Sequence, residues 1–446
     1  MADTFKGGIH PDYQKSLTSS KIIETLPPPE TLYIPLSQHR GAPAEPIVAV
    51  GDTVFVGTKI ADSTAAVFAP IHSSVSGTVK AIEPYYHPSG AKTTCIIIEN
   101  DGKDTPDPSI KPYDKPISQL TSDEIVAMAR EAGIVGMGGA GFPLHFKISS
   151  SIKCGKAEAL LINGAECEPY LSSDHRIMVE RTEQVVEGAR MIMRALGLSK
   201  VTICTESNKP DAVKALKEYI GDASDVDVKV FDTKYPQGSE KQIIQVVMGR
   251  EVPTGKLPID VGAVVTNVDS CGALYRAWKY GTPLYERVVT VTGKIVVEPK
   301  VLLCRIGTPF QYAIDFCSGL SEEPGKVIMG GPMMGQAQYT TEVPIIKTTS
   351  GILVLSKEEA VLPPSTNCIR CGKCLRTCPT RLLPCYLNMY SDMDNLEELD
   401  KLGIDNCIEC GACTYVCPAR LPLTQKFRLY KAKLGEARRN AAAAKK

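Results

Sequence analysis

The chain has 446 residues, of which 50 are Lys or Arg and 50 are Asp or Glu, so its formal net charge is zero. This balance excludes a protein whose main partner is nucleic acid or an anionic membrane, because such proteins carry a basic excess. No run approaches the roughly 18 apolar residues of a spanning helix, and "MADTFKGGIHP" lacks a leader pattern, which predicts a soluble, non-secreted protein.

Residues 1–118 predict a β-rich domain with many turns. The run "VGDTVFVGTKIADSTAAVFAPIHSSVSGTVKAIEP" alternates short apolar segments with Gly, Asp, Pro and Ser. It resembles the lipoyl or biotinyl barrel-sandwich fold, in which a hairpin tip carries a modified lysine. The tip in this chain, "ADSTAAVFAP", has no lysine. We therefore expect this domain to serve in packing or docking, not as a swinging-arm carrier.

Residues 119–284 predict an α/β domain with a mainly parallel sheet. "TSDEIVAMAREAG" begins with a capping box, Thr121 to Glu124, and predicts a helix of about three turns. Candidate strands then alternate with helical stretches at 174–196, 210–219 and 239–248, which is typical of a parallel sheet covered by helices. The candidate strands are "ALLIN", "VTICT", "VDVKVF" and "AVVTNV".

Three further units complete the chain. Residues 285–357 predict a small strand-rich domain with one helix, and residues 358–425 hold nine of the sixteen cysteines. Residues 426–446 form a basic tail. The tail is interpreted either as a helix that lies against acidic lipid or a partner subunit, or as a solvated end.

The glycine-rich stretch "GIVGMGGAGFPLHFK" contains Gly136, Gly138 and Gly141 at the spacing of a dinucleotide-binding fingerprint. Such a fingerprint follows a strand and begins a helix, whereas here a predicted helix precedes the loop and Pro143 follows it closely. Five glycines in nine residues lose much backbone entropy on ordering. Close approach of the backbone amides to a phosphate or a flat ring offsets that cost. A plain flexible loop is the alternative.

The cysteine-rich region contains one motif twice. "CIRCGKCLRTCP" at 368–379 and "CIECGACTYVCP" at 407–418 both read C-x2-C-x2-C-x3-C-P. In this pattern three thiolates bind one [4Fe-4S] cluster and the fourth cysteine binds the other cluster. We assign cluster I to Cys368, Cys371, Cys374 and Cys417. We assign cluster II to Cys407, Cys410, Cys413 and Cys378.

The cluster assignment leaves three questions: the choice of metal, the role of the other cysteines and the charges within the motifs. Zinc is the alternative metal for these cysteines, but two four-cysteine runs that end in Pro disfavour it. Cys385 is surplus to the eight ligands and is interpreted as structural, and the seven scattered cysteines from Cys95 to Cys317 are each expected to be buried apolar side chains. Arg370 and Glu409 occupy equivalent positions in the two motifs with opposite charge.

Four motifs in order resemble the flavoprotein subunit of respiratory complex I. "GMGGAGFPLHFK" is similar to that family's G-x-G-G-A-G-F-P-x-x-x-K loop, and "INGAECEP", "YPQGSEKQ" and "TNVDS" resemble its N-A-D-E-x-E-P, Tyr with Gly-Glu-Glu, and N-N-V-E-T segments. The whole chain, including "FKGGIHP", "YIPLSQHRGAPAEP" and both cluster motifs, is closer still to the C-subunit family of Rnf complexes, the ion-translocating ferredoxin:NAD oxidoreductases. This resemblance implies that residues 285–357 form a β-grasp domain of the soluble-ligand-binding (SLBB) type.

The resemblance also implies that the glycine loop binds FMN and that NADH stacks on the flavin. Glu168 and Lys147 are the implied catalytic residues, with Glu168 on the nicotinamide side and Lys147 facing the phosphate or the flavin edge. The implied cofactor-binding residues are Gly136, Gly138, Gly139, Gly141, Phe142, Lys147, Asn163, Glu166, Glu168, Tyr235, Gly238, Glu240, Asn267 and Ser270. The chain departs from the complex I pattern at Ala165 and Ser239, where that family has Asp and Glu.

By this resemblance, the chain is the peripheral, NADH-oxidising subunit of an Rnf complex on the cytoplasmic side of the cell membrane. It exchanges hydride between NAD(H) and FMN and single electrons between FMN and two [4Fe-4S] clusters. The implied partners are an iron–sulfur subunit, integral membrane subunits and, indirectly, ferredoxin, but not nucleic acid. Two alternatives stay open: a soluble flavin and iron–sulfur cobalamin reductase of a metabolic microcompartment, and a non-enzymatic electron carrier or scaffold.

Overall fold

The computed structural model describes residues 4–443, and its strands divide among four sheets that precede a helical unit carrying the cysteine motifs. Within that range, no helix is both long enough and apolar enough to cross a membrane. The two sheets of the first unit share one group of buried apolar side chains, the parallel sheet is packed on both faces, and the remaining sheet has a group of its own.

Two small antiparallel sheets form the β-rich first unit. The strands up to residue 100 are β1 (Ile23–Thr25), β2 (Thr31–Pro35), β3 (Glu45–Pro46), β4 (Thr53–Val54), β5 (Lys59–Asp62), β6 (Ile71–His72), β7 (Gly77–Tyr86) and β8 (Lys92–Asn100). One sheet has the order β2-β8-β7-β4 and the other β3-β5-β6. Leu32, Ile60 and Ile98 are fully buried between them. This arrangement matches the predicted sandwich.

A parallel sheet with helices around it forms the second unit. Its elements are α1 (Ser122–Glu131), α2 (Leu144–Cys154), β9 (Ala159–Asn163), α3 (Ser173–Glu180), α4 (Thr182–Ala195), β10 (Val201–Glu206), α5 (Pro210–Ile220), β11 (Val226–Phe231), α6 (Glu240–Met248), β12 (Ala263–Asn267) and α7 (Val268–Tyr280). The order is β11-β10-β9-β12 and every neighbouring pair is parallel. The four predicted strands and the capping box at Thr121 are confirmed.

One predicted helix of this unit is two helices. The expected helix 174–196 is interrupted at Arg181, whose backbone angles (φ −128°, ψ 36°) are not helical. At this break the chain passes from α3, which contacts α5 and α7, to α4, which packs along α7. Five consecutive polar residues, 180–184, span the break, and such a run also occurs on the exposed turn of a continuous helix.

A six-stranded sheet forms the third unit. Its elements are β13 (Glu286–Thr292), β14 (Lys300–Arg305), α8 (Phe310–Phe316), β15 (Lys326–Met329), β16 (Gln336–Gln338) and β17 (Gly351–Leu355). The order is β1-β14-β13-β17-β15-β16, so β1 from the start of the chain adds an edge strand, parallel to β14. Strand β1, although it precedes the sandwich in the chain, therefore belongs structurally to the sheet of the third unit.

Short helices surround the cysteine motifs. They are α9 (Lys357–Ala360), α10 (Lys373–Thr377), α11 (Pro384–Asp392), α12 (Leu396–Lys401), α13 (Ala412–Tyr415) and α14 (Leu423–Ala443). Helix α14 begins ahead of the predicted basic tail, and its buried face of Leu423, Phe427, Tyr430 and Leu434 packs against α11 and α12. Only its last turns, 436–443, are exposed throughout.

Candidate functional site

A cleft of about 500 Å³ opens at the carboxyl ends of β9 and β12. Parallel sheets bind their ligands at this edge, because loops diverge there and leave a crevice. Four segments of the second unit form much of the cleft: the glycine loop 136–142, the loop 163–168 after β9, the start of α6, and the end of β12. All of the predicted cofactor-binding residues except Ser270 line this cleft.

The glycine loop has the properties of a cradle for a flat, anionic ligand. A Cβ atom on Gly139 meets no protein atom within 4 Å, so this face of the loop is open. Gly138 packs so closely on Asn267 that a Cβ there lies 2.7 Å from Asn267 Nδ2. Among residues 4–443, the backbone N–H groups of Gly138, Gly139 and Ala140 donate to no protein acceptor. These free amides and the open face fit the phosphate and ring of FMN.

Lys147 and Glu240 form the charged floor of the cleft. Lys147 Nζ donates to the Val265 carbonyl at 2.7 Å and pairs with the Glu240 carboxylate at 3.3 Å. Lys147 lies in the first turn of α2, and Glu240 is the first residue of α6. The cation is therefore held in place by protein groups, and a phosphate that enters the cleft competes with Glu240 for it.

Ser270 and Arg287 support the glycine loop from behind. The Ser270 hydroxyl accepts from Met137 N at 3.1 Å and donates to the Val135 carbonyl at 3.0 Å. Ser270 is one of the implied cofactor-binding residues, but it does not line the cleft, since its hydroxyl is bonded to the backbone behind the loop. Arg287 Nη2 donates to the Met137 carbonyl at 2.8 Å and Arg287 pairs with Asp269 at 3.8 Å. Sequence reasoning missed Arg287, which comes from the third unit.

Side chains in the loop after β9 shape the cleft wall. Asn163 Nδ2 donates to the Gly238 carbonyl at 2.8 Å and joins this loop to the turn before α6. The Glu166 carboxylate accepts from Asp174 N at 2.7 Å at the start of α3. Lys15 Nζ donates to the carbonyls of Glu166 and Glu168. Lys15 lies 151 positions from Glu166, so no local pattern indicated its role.

Glu168 is held by groups from two other parts of the chain. Its carboxylate accepts from the backbone N–H groups of Met333 at 3.1 Å and Met334 at 2.9 Å, in the turn between β15 and β16. The Tyr235 hydroxyl lies 3.4 Å away. Burial raises the pKa of Glu168 to about 7, although the two amide donors act in the opposite direction. Glu168 can therefore hold or release a proton at the cleft wall near neutral pH.

The cleft adjoins the second cysteine motif directly. The Tyr235 hydroxyl donates to the Cys410 carbonyl at 2.6 Å, and Ile408 is one of the residues that line the cleft. Met334 and Ser350 of the third unit complete the lining. The sequence did not predict these contacts, because Ile408, Met334 and Ser350 are distant in the chain from the glycine loop and lie in segments to which other roles were assigned.

The eight motif cysteines line two separate cavities. One cavity is lined by Cys368, Cys371, Cys374 and Cys417, with Cys385 beside them. The other is lined by Cys378, Cys407, Cys410 and Cys413. These are the two sets assigned from the motif spacing to cluster I and cluster II, and four thiols around one cavity suit a [4Fe-4S] cube. The iron ligands themselves stay a prediction.

The glycines beside the cysteines have the same conformation in both motifs, whereas the charges differ. Gly372 and Gly411 precede α10 and α13 with φ of 71° and 78°, a conformation that glycine adopts without strain. Glu409 pairs with Arg428 at 2.8 Å and Lys431 at 2.6 Å. These two cations lower the pKa of the Glu409 carboxyl, although its partial burial acts against them.

The scattered cysteines follow the expectation with one exception. Six of the seven are buried, but Cys154 is exposed. The prediction is wrong for Cys154 because it is the last residue of α2, where the helix ends at Gly155 on the surface.

Comparison with family models gives four matches in chain order. The RnfC barrel sandwich hybrid domain matches residues 3–103, and the Nuo51 FMN-binding domain matches residues 129–276. The SLBB domain matches residues 288–337, and the 4Fe-4S dicluster domain matches residues 361–418. The predicted fold class is thereby confirmed, whereas the domain boundaries stay predictions.

Curated relatives cover most of the chain. The C subunit of the Na(+)-translocating ferredoxin:NAD(+) oxidoreductase complex of Acetobacterium woodii is 47% identical over 87% of this chain and 87% of its own length. The C subunit of the proton-translocating ferredoxin:NAD(+) oxidoreductase complex of Clostridium ljungdahlii is 47% identical over 89% of this chain and 86% of its own length. Among solved structures, an NAD+-reducing [NiFe]-hydrogenase chain matches with a TM-score of 0.49 and 16% identity, over 74% of this chain and 69% of that chain.

Proposed function

This chain belongs to the C-subunit family of ion-translocating ferredoxin:NAD(+) oxidoreductase (Rnf) complexes, and we propose that its cleft is where NAD(H) exchanges electrons with the complex. It is an oxidoreductase subunit that contains an FMN-binding domain and a dicluster domain. NAD(H) is its substrate at the cleft. Electrons move between this cleft and the two iron–sulfur clusters.

The contact between the cleft and the second cysteine motif carries the proposal. Ile408 lines the cleft, and the Tyr235 hydroxyl donates to the carbonyl of Cys410, a predicted ligand of cluster II. A flavin held in the cleft would therefore lie next to an iron–sulfur cluster held by the second motif, with Tyr235 and Ile408 between the two sites. This adjacency supports direct single-electron exchange between the two sites.

The protein residues bind and orient the reactants. FMN, when bound, exchanges hydride with NAD(H) and single electrons with iron–sulfur clusters. The free amides of the glycine loop hold anionic and flat groups, and Lys147 supplies a positive charge at the floor. Glu168 holds a proton at the cleft wall. Hydride exchange with NAD(H) changes the charge there, and Glu168 can respond by keeping or releasing this proton. Phe142, which stands against Phe146 with ring centroids 5.7 Å apart, adds an apolar surface for a ring.

Two departures from the complex I pattern bear on the alternatives. Ala165 is fully buried and lies against Gly238, so no polar side chain reaches the cleft at this point. Ser239 lines the cleft with a hydroxyl group, which is shorter than the Glu side chain that the complex I pattern has at this position. Neither change fills the cleft, which favours a working pocket over a scaffold with an unused one. The names of the relatives favour the Rnf family over a soluble cobalamin reductase.

The partners and location follow from the same proposal. The relatives are named as subunits of multisubunit complexes. We infer that this chain docks on the cytoplasmic side of the cell membrane, beside an iron–sulfur subunit and integral membrane subunits of its complex. Ferredoxin delivers or receives electrons through those subunits.

The test is NADH addition to the full chain, purified without oxygen and reconstituted with iron, sulfide and FMN. The expected result is bleaching of flavin absorbance, followed by an EPR signal of reduced [4Fe-4S] clusters, with NADPH as the comparison. Clusters that dithionite reduces but NADH does not, in protein that retains no flavin, would contradict the proposal. In that case the chain relays electrons from another donor.

A further inference from the structure

We propose that Cys385 is a reserve ligand of cluster I, whose sulfur binds iron in place of Cys374 when Cys374 is lost. Eight cysteines suffice for two [4Fe-4S] clusters, so the motif spacing gives Cys385 no iron to bind. Its place in the fold does, because Cys385 lies at the cavity of cluster I. A reserve ligand adds a residue to the metal site and depends neither on FMN nor on the direction of electron transfer.

The cavity of cluster I is lined by five cysteines, one more than a cube requires. They are Cys368, Cys371, Cys374, Cys385 and Cys417. Among the residues that the structure describes, four cysteines and no fifth line the cavity of cluster II. Each [4Fe-4S] cube takes four cysteine ligands. A surplus thiol is therefore present at cluster I alone.

The internal repeat gives Cys385 a counterpart at cluster II. Each cysteine of the first motif corresponds to the cysteine 39 positions later in the second motif, as Cys374 does to Cys413. The same offset relates Cys385 to Thr424. Helices α11 and α14, whose first turns contain Cys385 and Thr424, also begin at equivalent positions of the repeat. The two copies therefore share both the motif and the start of the helix that follows it.

In the second copy this position lies against a predicted iron ligand. Thr424 lines the cavity of cluster II, and its Oγ1 atom is 3.9 Å from Cys413 Sγ. In the first copy, α10 and α11, which carry Cys374 and Cys385, are in contact, and both cysteines line one cavity. Soft thiolates are the ligands that iron–sulfur clusters take. Where cluster II has the hydroxyl of Thr424, cluster I therefore has a group that can bind iron.

The Cys385 thiol is free to bind. It forms no disulfide, and within residues 4–443 it forms no hydrogen bond. Cys385 is the second residue of α11, a helix of nine residues, and the positive end of a helix dipole favours a thiolate over a thiol. Asn388, one turn further along α11, lines the same cavity. This face of the helix therefore presents Cys385 to the cluster I cavity as a ready thiolate donor.

Replacement of one ligand by the other is a thiolate substitution. The Cys385 thiol releases its proton, and its sulfur forms the bond to the iron that Cys374 held. A displaced Cys374 thiolate takes up that proton; in a chain that lacks Cys374 the proton goes to solvent. Atoms and charge thus balance, and no electron moves. Because Cys368 and Cys371 are exposed, whereas Cys410 of the second motif is buried, solvent reaches the cluster I site and can accept the proton.

The experiment measures bound iron per chain and the EPR spectrum after reduction by dithionite. It uses the full chain, purified without oxygen and reconstituted with iron and sulfide, which binds about eight irons when both clusters are present. The test variant is Cys374→Ala, alone and together with Cys385→Ala. The matched control is Cys413→Ala at the equivalent position of cluster II, where the neighbour is Thr424 and not a thiol. Cys385→Ala alone and the pair Cys413→Ala with Thr424→Cys complete the set.

We expect Cys374→Ala to keep about eight irons and to shift the EPR signal of one cluster, because one ligand has changed. Cys385→Ala keeps the wild-type iron content and spectrum. The pair Cys374→Ala with Cys385→Ala falls to about four irons, and so does Cys413→Ala. Addition of Thr424→Cys to Cys413→Ala restores about eight, because it gives cluster II the thiol that cluster I already has.

Several results would overturn the reserve ligand. One is equal loss of iron in Cys374→Ala and in its pair with Cys385→Ala. Another is full iron content in that pair or in Cys413→Ala, because a cube then survives without a substitute thiol. Loss of iron from Cys385→Ala alone would make Cys385 a support of the ordinary cluster and not a reserve.

The outcome does not depend on whether every variant folds. If circular dichroism shows that Cys374→Ala is unfolded, the cluster II variants test the same position of the repeat: iron restored by Thr424→Cys supports the proposal, and iron that stays at the level of Cys413→Ala overturns it. The iron count requires neither FMN nor NAD(H), so a failure of the proposed function leaves this test unaffected.

Discussion

Glu168 joins three parts of the chain at a single carboxylate. It belongs to the loop after β9, it accepts hydrogen bonds from Met333 and Met334 in the third unit, and it neighbours Tyr235, which contacts the second cysteine motif. Gly331 lies so close that a Cβ there would be 2.2 Å from Glu168 Oε2. The position is therefore enclosed from several sides, and the enclosure is what disfavours the charged form.

Replacement of Glu168 by Gln is expected to change how stability depends on pH. The pKa of Glu168 is about 7 in the folded protein, against an ordinary value of 4.5. Its contribution to stability is therefore fully present below about pH 4.5 and is lost as pH rises through about 7, a loss of up to about 3 kcal/mol. The melting temperature of Glu168→Gln minus that of the wild type should rise between about pH 5 and 7 and then level off. Parallel curves would contradict this.

At the scale of elements, the glycine loop is enclosed by parts of the first, second and third units. The Gly141 carbonyl accepts from Arg40 N of the first unit, and Gly141 packs on Thr348 of the third. Ser270 at the start of α7 holds it from behind. The loop is thus ordered by its surroundings, while Gly139 remains directed into the open cleft. This arrangement favours a cofactor cradle over a flexible connection.

A Gly139→Val substitution is expected to remove FMN without harming the fold. The added side chain points into space where the protein has no atom within 4 Å, so steric conflict arises only with a bound ligand. Purified Gly139→Val should lose most of its flavin absorbance and keep the wild-type iron content. Gly136→Ala is the comparison in the same loop, because its Cβ meets only Phe142 backbone atoms at ordinary distances, 3.5 Å and beyond. Flavin retained by Gly139→Val would refute the cradle.

Helix α14 is a second element whose role follows from its contacts. Phe427 is almost fully buried and lines the cavity of cluster II, whereas Leu429 on the opposite face is 55% exposed. Truncation of a buried Phe to Ala typically costs about 3–5 kcal/mol. Phe427→Ala should therefore lose the EPR signal of one cluster and about half of the iron, while Leu429→Ala changes neither. Full iron content in Phe427→Ala would show that α14 does not support the cluster.

At the scale of the whole molecule, buried cations connect the units. Lys347 of the third unit donates to the carbonyls of Pro70 in the first unit and Gly133 in the second, at 2.6 and 2.7 Å. Burial lowers the pKa of Lys347 to about 7. Arg287 similarly donates to the carbonyls of Met137, Lys347 and Thr349. The cleft is consequently a property of the assembled units and not of the α/β domain alone.

The effect of Arg287→Lys tests this connection. A lysine keeps the charge but lacks the planar fork that reaches three carbonyls, so the hydrogen bond to the loop carbonyl of Met137 is weakened or lost. We expect FMN affinity to fall roughly 10–100-fold, at about 1.4 kcal/mol for each factor of ten, with cluster content unchanged. Flavin titration by fluorescence measures this. Arg276→Lys is the control, because Arg276 pairs with the same Asp269 but does not contact the loop.

Local chemistry explains the part of the structure that could be predicted from the sequence. The capping box at Thr121, the strands of the parallel sheet and the cysteine spacing depend on residues within one segment, so their patterns are legible along the chain. The motif order likewise predicted which segments meet at the cleft, because parallel strands end at one edge of the sheet. All but one of the implied cofactor residues lie there.

The sequence by itself thus determined the fold class, the four units and the cysteine sets. Only the tertiary structure decided that Lys15, Arg287 and the Met333–Met334 turn hold the cleft and that Ser270 stands behind it. It also decided that Cys410 of the second motif is buried beside the cleft, whereas Cys368 and Cys371 of the first motif are exposed. The contacts that hold the cleft join residues that are between about 130 and 165 positions apart. They arise from how the units pack, and packing depends on the shapes of whole surfaces that no local pattern encodes.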